Sequence, residues 1–191
     1  MEREVGPYRD ELLAGLSGRV LEIGAGNGMN FGHYPATVAE VVALEPEPYL
    51  RERAQAAAGA APIPVTVRDG VAAPLPLEDD GFDAAVASLV LCTVPDPDAA
   101  VAELRRVLRP GGELRFFEHV RSTRPRKARL QQALDRTGVW PRLIGGCHPA
   151  RDTMATLERA GFAIARARRV DVGPVANPAN PHVMGVALAP G

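Results

Sequence analysis

The stretch RVLEIGAGNG, residues 19–28, decides the fold. Arg19 to Ile23 reads as a strand buried in a sheet, and it runs straight into a turn with glycine at positions 24, 26 and 28. Glycines at the carboxyl end of a strand let the backbone approach a ligand closely. A second apolar run, EVVAL at 40–44, ends in Glu45, 17 residues after Gly28. An acid at that place can accept both hydroxyls of a ribose. Strand, glycine turn and acid together describe a nucleotide-cofactor site. A dinucleotide fingerprint requires glycine at 29, where Met29 stands. What stands two residues before the turn is Glu22, a carboxylate that repels a pyrophosphate and attracts an ammonium group. The pattern therefore favours S-adenosylmethionine over NAD. A tight strand-to-helix connection without a ligand is the plainer reading of the glycines alone.

Working outward, strands and helices alternate. Pro7–Leu16 reads as a short amphipathic helix, Pro48–Ala58 as a helix with proline in its first turn, and Ile63–Arg68 as an edge strand carrying Pro64. Phe82–Ala87 reads as a fourth strand continuing through Ser88-Leu89-Val90-Leu91-Cys92. Asp96-Pro97 opens a helix with Val101, Leu104, Val107 and Leu108 on one face. Arg109–Gly112 ends that helix, and Glu113–Val120 is a fifth strand. This alternation calls for a parallel sheet covered on both faces. After Val120 the rhythm breaks. A basic stretch, a helix at Ala128–Leu134 and the turn-rich GGCHP (145–149) precede a helix at Asp152–Ala160. Strands at Phe162–Val170 and His182–Leu188 close the chain.

With 191 residues, 46% hydrophobic and 24% charged, the chain is expected to form one domain over residues 1–191. Nineteen glycines and 18 prolines fall mostly between periodic segments, so they punctuate rather than signal disorder. A formal net charge of −1 argues against a nucleic-acid partner. Two cysteines, Cys92 and Cys147, supply neither a disulfide framework nor a thiolate cluster, so no metal is expected. The charged opening MEREVGPYRDELLAGL and the lack of a long apolar run set a cytoplasmic default with no integral membrane segment.

The motifs VLEIGAGNG, ALEPEPYL, LPLEDDGFDAAVASLVL and ELRRVLRPGGELRF resemble those of class I S-adenosylmethionine-dependent methyltransferases, type 11 subgroup. GNGMNFGHYP, SLVLCTV, FFEHV, GGCHPARDT and NPHVMGVAL resemble more narrowly the methyltransferase-like 7 thiol S-methyltransferases. The resemblance implies a Rossmann-like seven-stranded sheet, order 3-2-1-4-5-7-6 with strand 7 antiparallel. It implies S-adenosyl-L-methionine as cofactor and S-adenosyl-L-homocysteine as product. By position, Glu22, Gly24, Ala25, Gly26 and Asn30 would hold the methionine end, and Glu45 and Pro46 the ribose side. Asp69, Gly70 and Val71 would stand at the adenine, and Ser88 and Leu89 beside the methionine moiety. This chain departs from the pattern in the adenine stretch, where Val71, Ala72 and Ala73 replace the usual acid and Asp69 is the nearest substitute. The vertebrate members carry a hydrophobic N-terminal anchor, and the charged opening of this sequence leads to the expectation of none here, against a microsomal location and lipid-borne substrates.

Methyl transfer from a sulfonium is an in-line displacement that needs a positioned nucleophile and no metal. A thiol supplies some thiolate at neutral pH, so a strong base is optional for sulfur and more useful for a hydroxyl. The expected acceptor is a small molecule, with a thiol favoured over O- or N-methylation. Cofactor binding without catalysis is the reading from another class. His119, at the carboxyl end of the fifth strand, is a candidate for taking a proton or orienting the acceptor, or else a satisfied loop residue. Glu118, alternating with it, is a weaker candidate. Cys147 and His148 are candidate catalytic or pocket-lining residues, or else structural packing, while Cys92 reads as a small buried hydrophobe and His33-Tyr34 as a surface turn or part of the entrance. The basic run at Arg121, Arg124, Arg126, Lys127 and Arg129 is a solvated face or an attractor of anions. Residues 1–16 and 121–150 are expected to cover the acceptor site. The oligomeric state has no signature in the sequence.

Overall fold

The computed structural model describes residues 2–191; Met1, part of the expected 1–16 cover, lies outside the described residues. Seven strands form one sheet: β1 (Gly18–Ile23), β2 (Val38–Leu44), β3 (Val65–Arg68), β4 (Phe82–Ser88), β5 (Leu108–His119), β6 (Ala163–Asp171) and β7 (Pro181–Leu188). Their order is β3-β2-β1-β4-β5-β7-β6. β1 to β5 pair in parallel, and β7 runs antiparallel to both β5 and β6. This is the topology the sequence motifs imply. Six helices cover the faces: α1 (Glu2–Leu13), α2 (Pro48–Ala58), α3 (Pro97–Val107), α4 (Pro125–Thr137), α5 (Val139–Leu143) and α6 (Thr153–Arg159).

Period-2 alternation along the central strands sorts the core into two layers. Leu21, Ile23, Ala85, Ala87, Leu114 and Phe116 face Val101, Leu104 and Val107 of α3 and Leu157 of α6. Val20, Ala84, Val86 and Phe117 face Leu12 and Leu13 of α1, Ala54 of α2, and the Phe31 and Tyr34 side chains. Glu22 shares the face of Val20, which puts its carboxylate in this second layer. Local capping sets the helix starts. Glu47 accepts from the Leu50 N–H (2.7 Å), Asp96 from the Ala99 N–H (3.0 Å) and Asp152 from the Ala155 N–H (3.3 Å).

Several boundaries differ from the sequence expectations. α1 starts at Glu2 and carries Pro7 inside it rather than at its start. β3 begins after Pro64, whose carbonyl nevertheless accepts from the Val41 N–H. α4 is longer than Ala128–Leu134, running from Pro125 to a left-handed Gly138, and α5 follows it directly. The most consequential difference is at the end of β4. The strand stops at Ser88, and Leu89 turns with φ 59° instead of continuing to Cys92. The Leu89 N–H still reaches the Phe117 carbonyl (2.7 Å), but the next three N–H groups leave the sheet for a side chain of β5.

Candidate functional site

The carboxyl edge of the parallel strands carries a cavity of about 190 Å³. It is lined by Glu22, Gly24, Ala25, Gly26, Asn30, Ser88 and Leu89, all expected from sequence, together with Arg9, Asn27 and Met29, which were not. Larger clefts, of about 390 Å³ under α1 and about 430 Å³ beside Arg106, contain neither Glu22 nor the glycine turn. The close approach at the turn is real. Gly24 has φ +60°, and a Cβ there would lie 2.3 Å from Cγ2 of Val90. Gly26, at φ +57°, would point a Cβ into open space.

Glu22 is 2% exposed. Its Oε1 accepts from Asn30 Nδ2 (2.8 Å) and its Oε2 from the Tyr34 hydroxyl (2.7 Å). Burial raises its pKa to about 7; the Tyr34 and Asn30 hydrogen bonds and the Arg9 charge work against that rise. Asn30 Oδ1 is buried in the cavity wall and has no protein donor. A half-ionised buried acid beside an orphaned carbonyl oxygen suits a ligand that brings an ammonium group. Tyr34 corrects the reading of His33-Tyr34 as a surface turn. Its ring is buried among the α1 and β2 side chains, and its hydroxyl orients Glu22. Hydrophobic periodicity carries no signal for a tyrosine that caps a short 3-10 turn, Phe31–His33.

Glu45 is buried at the end of β2, where its two oxygens accept from the Gly26 N–H (2.7 Å) and the Glu47 N–H (3.0 Å). It thus fastens the glycine turn to the next strand. Asp69, Gly70 and Val71 lie past the end of the neighbouring β3, outside the cavity. The Asp69 side chain is 74% exposed and pairs with Arg51 (2.9 Å), whose guanidinium also donates to the Glu45 and Pro46 carbonyls. The cavity is smaller than the about 300–1,000 Å³ of typical small-molecule sites. Its volume matches one end of a nucleotide-sized ligand rather than the whole of it.

Beyond Leu89 the site changes character. The carboxylate of Glu118, fully buried, accepts the N–H groups of Val90 (3.0 Å), Leu91 (2.8 Å) and Cys92 (3.0 Å). Burial raises its pKa to about 7 against the pull of those three donors. Glu118 is therefore the clamp of the turn after β4. Cys92 is buried, as expected, yet it is more than a hydrophobe: its Sγ lies 3.3 Å from Nδ1 of His119, which is also 3.5 Å from Sγ of Cys147. The expectation of no metal-ligating set rested on the cysteine count. Among the described residues Cys92, His119 and Cys147 bring three ligand atoms within 4.8 Å of one another. A hydrogen bond from Cys92 and the nearby His119 lower the Cys147 thiol to about 5, while sharing that proton and burial push Cys92 well up. His148 does not join them. Its ring faces Asp135 (3.7 Å), while its N–H bonds the Cys92 carbonyl (2.7 Å). The His119 ring packs on His182 (4.4 Å), whose pKa is lowered to about 4, chiefly by burial.

A family model described as a methyltransferase domain matches residues 21–116. The human thiol S-methyltransferase TMT1B is 37% identical over 183 residues, covering 92% of this chain and 73% of that protein. The human thiol S-methyltransferase TMT1A is 32% identical over 194 residues with the same coverage. A crystal structure of a putative methyltransferase from Bacillus halodurans superimposes with a TM-score of 0.78 at 17% identity, over 97% of this chain and 98% of that one. Sheet order, glycine turn and buried acids define an S-adenosylmethionine-dependent methyltransferase, with S-adenosylhomocysteine as its product. The chain belongs to the methyltransferase-domain family whose members include the thiol S-methyltransferases. No described helix is long and apolar enough to cross a membrane.

Proposed function

We propose that this methyltransferase acts on the thiol of a small molecule. The carrying observation is the reach of the likeness to TMT1B. The domain model stops at residue 116, whereas a match over 92% of the chain must include residues 117–150, where His119 and Cys147 stand. When bound, S-adenosylmethionine supplies an electrophilic methyl on a sulfonium. Glu22, steadied by Asn30 and Tyr34, receives the ammonium end, and Gly24, Ala25 and Gly26 admit the cofactor against the backbone. Glu45 and Pro46 stand on the ribose side, Gly70 and Val71 at the adenine, with Asp69 held off by Arg51. Ser88 and Leu89 line the methionine side, and the turn from Leu89 to Cys92 leads to the acceptor. His119 and Cys147 form its polar corner, and His148 fixes that corner through its N–H bond to Cys92. The α1 segment and residues 121–150 cover this end of a single domain and exclude water during transfer.

A cytoplasmic setting, which keeps both thiols reduced, fits this reading. A panel of thiols, phenols and amines incubated with S-adenosylmethionine, with methylated products read by mass spectrometry, tests it. Thioether formation is the expected outcome. Turnover of a phenol or amine with no turnover of any thiol would replace it with O- or N-methylation. Normal S-adenosylhomocysteine binding with no transfer to any acceptor would leave a binding protein.

A further inference from the structure

We infer that Cys92 Sγ, His119 Nδ1 and Cys147 Sγ form a binding site for a thiophilic divalent cation, best fitted by zinc, with a fourth coordination position open to an external ligand. A tetrahedral zinc sits about 2.3 Å from sulfur and about 2.0–2.1 Å from nitrogen, which separates neighbouring sulfur and nitrogen ligands by about 3.5 Å. The two such separations here are 3.3 and 3.5 Å. One nitrogen atom facing two sulfurs at those distances is an arrangement that a cation joining all three satisfies well. Two thiolates and a neutral imidazole neutralise a dication, so a loaded site carries no net charge into a buried corner.

The ligands come from three separate segments, and each is fixed by its backbone or neighbours. Glu118 pins the Val90–Cys92 turn, the His148 N–H ties the Cys147 segment to the Cys92 carbonyl, and the Cys147 N–H bonds the Ile144 carbonyl. His119 packs on His182, whose Nδ1 faces the Asn180 carbonyl at 2.7 Å. Such outer partners commonly orient metal ligands. Among the described residues the protein offers three donors at this place, because the His148 ring faces Asp135. Three protein ligands leave a tetrahedral cation one coordination position for an external ligand. Resting on the thiol reading above, that ligand is the acceptor sulfur. Its S–H bond breaks, the proton leaves to solvent, and the sulfur lone pair bonds the cation.

The test uses the full chain, treated with a chelator, kept reduced with a phosphine and titrated with cobalt(II) alone. One equivalent is expected to bind with thiolate charge-transfer absorption and tetrahedral d–d bands, and zinc is expected to bleach both. His119→Ala, Cys92→Ser and Cys147→Ser should each weaken binding at least a hundredfold, beyond the about 10–100-fold that orienting partners carry. Circular dichroism reports whether each variant folds, and the wild-type spectrum decides the matter even if one does not. Absence of the thiolate band on the reduced wild type overturns the site, as does an intact band in a folded Cys92→Ser/Cys147→Ser double variant. A small thiol added to the cobalt protein should shift the d–d bands. Unshifted bands alongside measured thiol turnover overturn the open position and leave the acceptor assignment intact. Shifted bands without turnover of any thiol overturn the acceptor assignment and leave the site.

Discussion

Ionisation of Glu22 is expected to control cofactor affinity across a pH range in which ordinary carboxylates are already charged. Burial raises this acid to about 7, so roughly one molecule in thirty carries the charge at pH 5.5 and about half at pH 7. Where only the ionised form receives the ammonium group, affinity rises about 16-fold between those values, about 1.6 kcal/mol. The perturbation is Glu22→Gln. The amide keeps an acceptor for the Tyr34 hydroxyl, and its N–H₂ can meet the orphaned Oδ1 of Asn30 after that side chain flips. The variant should therefore fold while losing the charge. Isothermal titration with S-adenosylhomocysteine from pH 5.5 to 7 should give a steep profile for wild type and a flat, weaker one for the variant. 5′-Methylthioadenosine, which lacks the amino-acid end, should bind wild type with no such slope. An equal slope for both ligands, or an unchanged slope in Glu22→Gln, would refute the role of the charge.

The same acid makes a stability prediction of opposite sense. Its folded pKa lies above the ordinary carboxylic-acid value of about 4.5, so the folded state holds the proton more tightly and its stability falls as pH rises from about 4.5 through 7. Relative to Glu22→Gln, ligand-free wild type should lose on the order of 3 kcal/mol between pH 5 and pH 8 in denaturant unfolding, and a constant difference would count against it. Gly24→Ala forces a Cβ onto Val90 at a left-handed φ, and should cost about 2–5 kcal/mol of stability. Gly26→Ala meets open space, so it should cost only about 1–2 kcal/mol for the backbone yet weaken S-adenosylhomocysteine binding severalfold; equal melting points for the two variants would contradict the contrast. Glu118→Ala strands three buried N–H groups and should destabilise by about 3 kcal/mol or more, with hydrogen exchange accelerated at residues 90–92. Undiminished protection there would show that another group holds the turn.

The sheet and its cofactor turn were legible in the sequence because both are encoded by neighbours along the chain. Alternation in RVLEI and EVVAL places side chains on opposite faces, and glycines at 24, 26 and 28 mark the turn whatever packs around it. Even the face of Glu22 follows from its distance in residues from Val20. Legibility fails where a residue's role depends on a partner far along the chain. Ser88–Cys92 looked like more strand because its side chains are apolar, yet its N–H groups are claimed by a carboxylate 26 to 28 residues away. Tyr34 looked like surface until α1 closed over it.

The amino-acid order by itself therefore determined the class of fold, the glycine turn and the two acids that flank it. The tertiary structure alone decided what completes the site: Arg9 and Tyr34 around Glu22, and one imidazole set between two cysteines 55 residues apart. The physical reason is one of range. Backbone conformation and hydrophobic period act over a few residues, whereas burial, and the pKa shifts and donor clusters that follow from it, exists only after distant segments have packed.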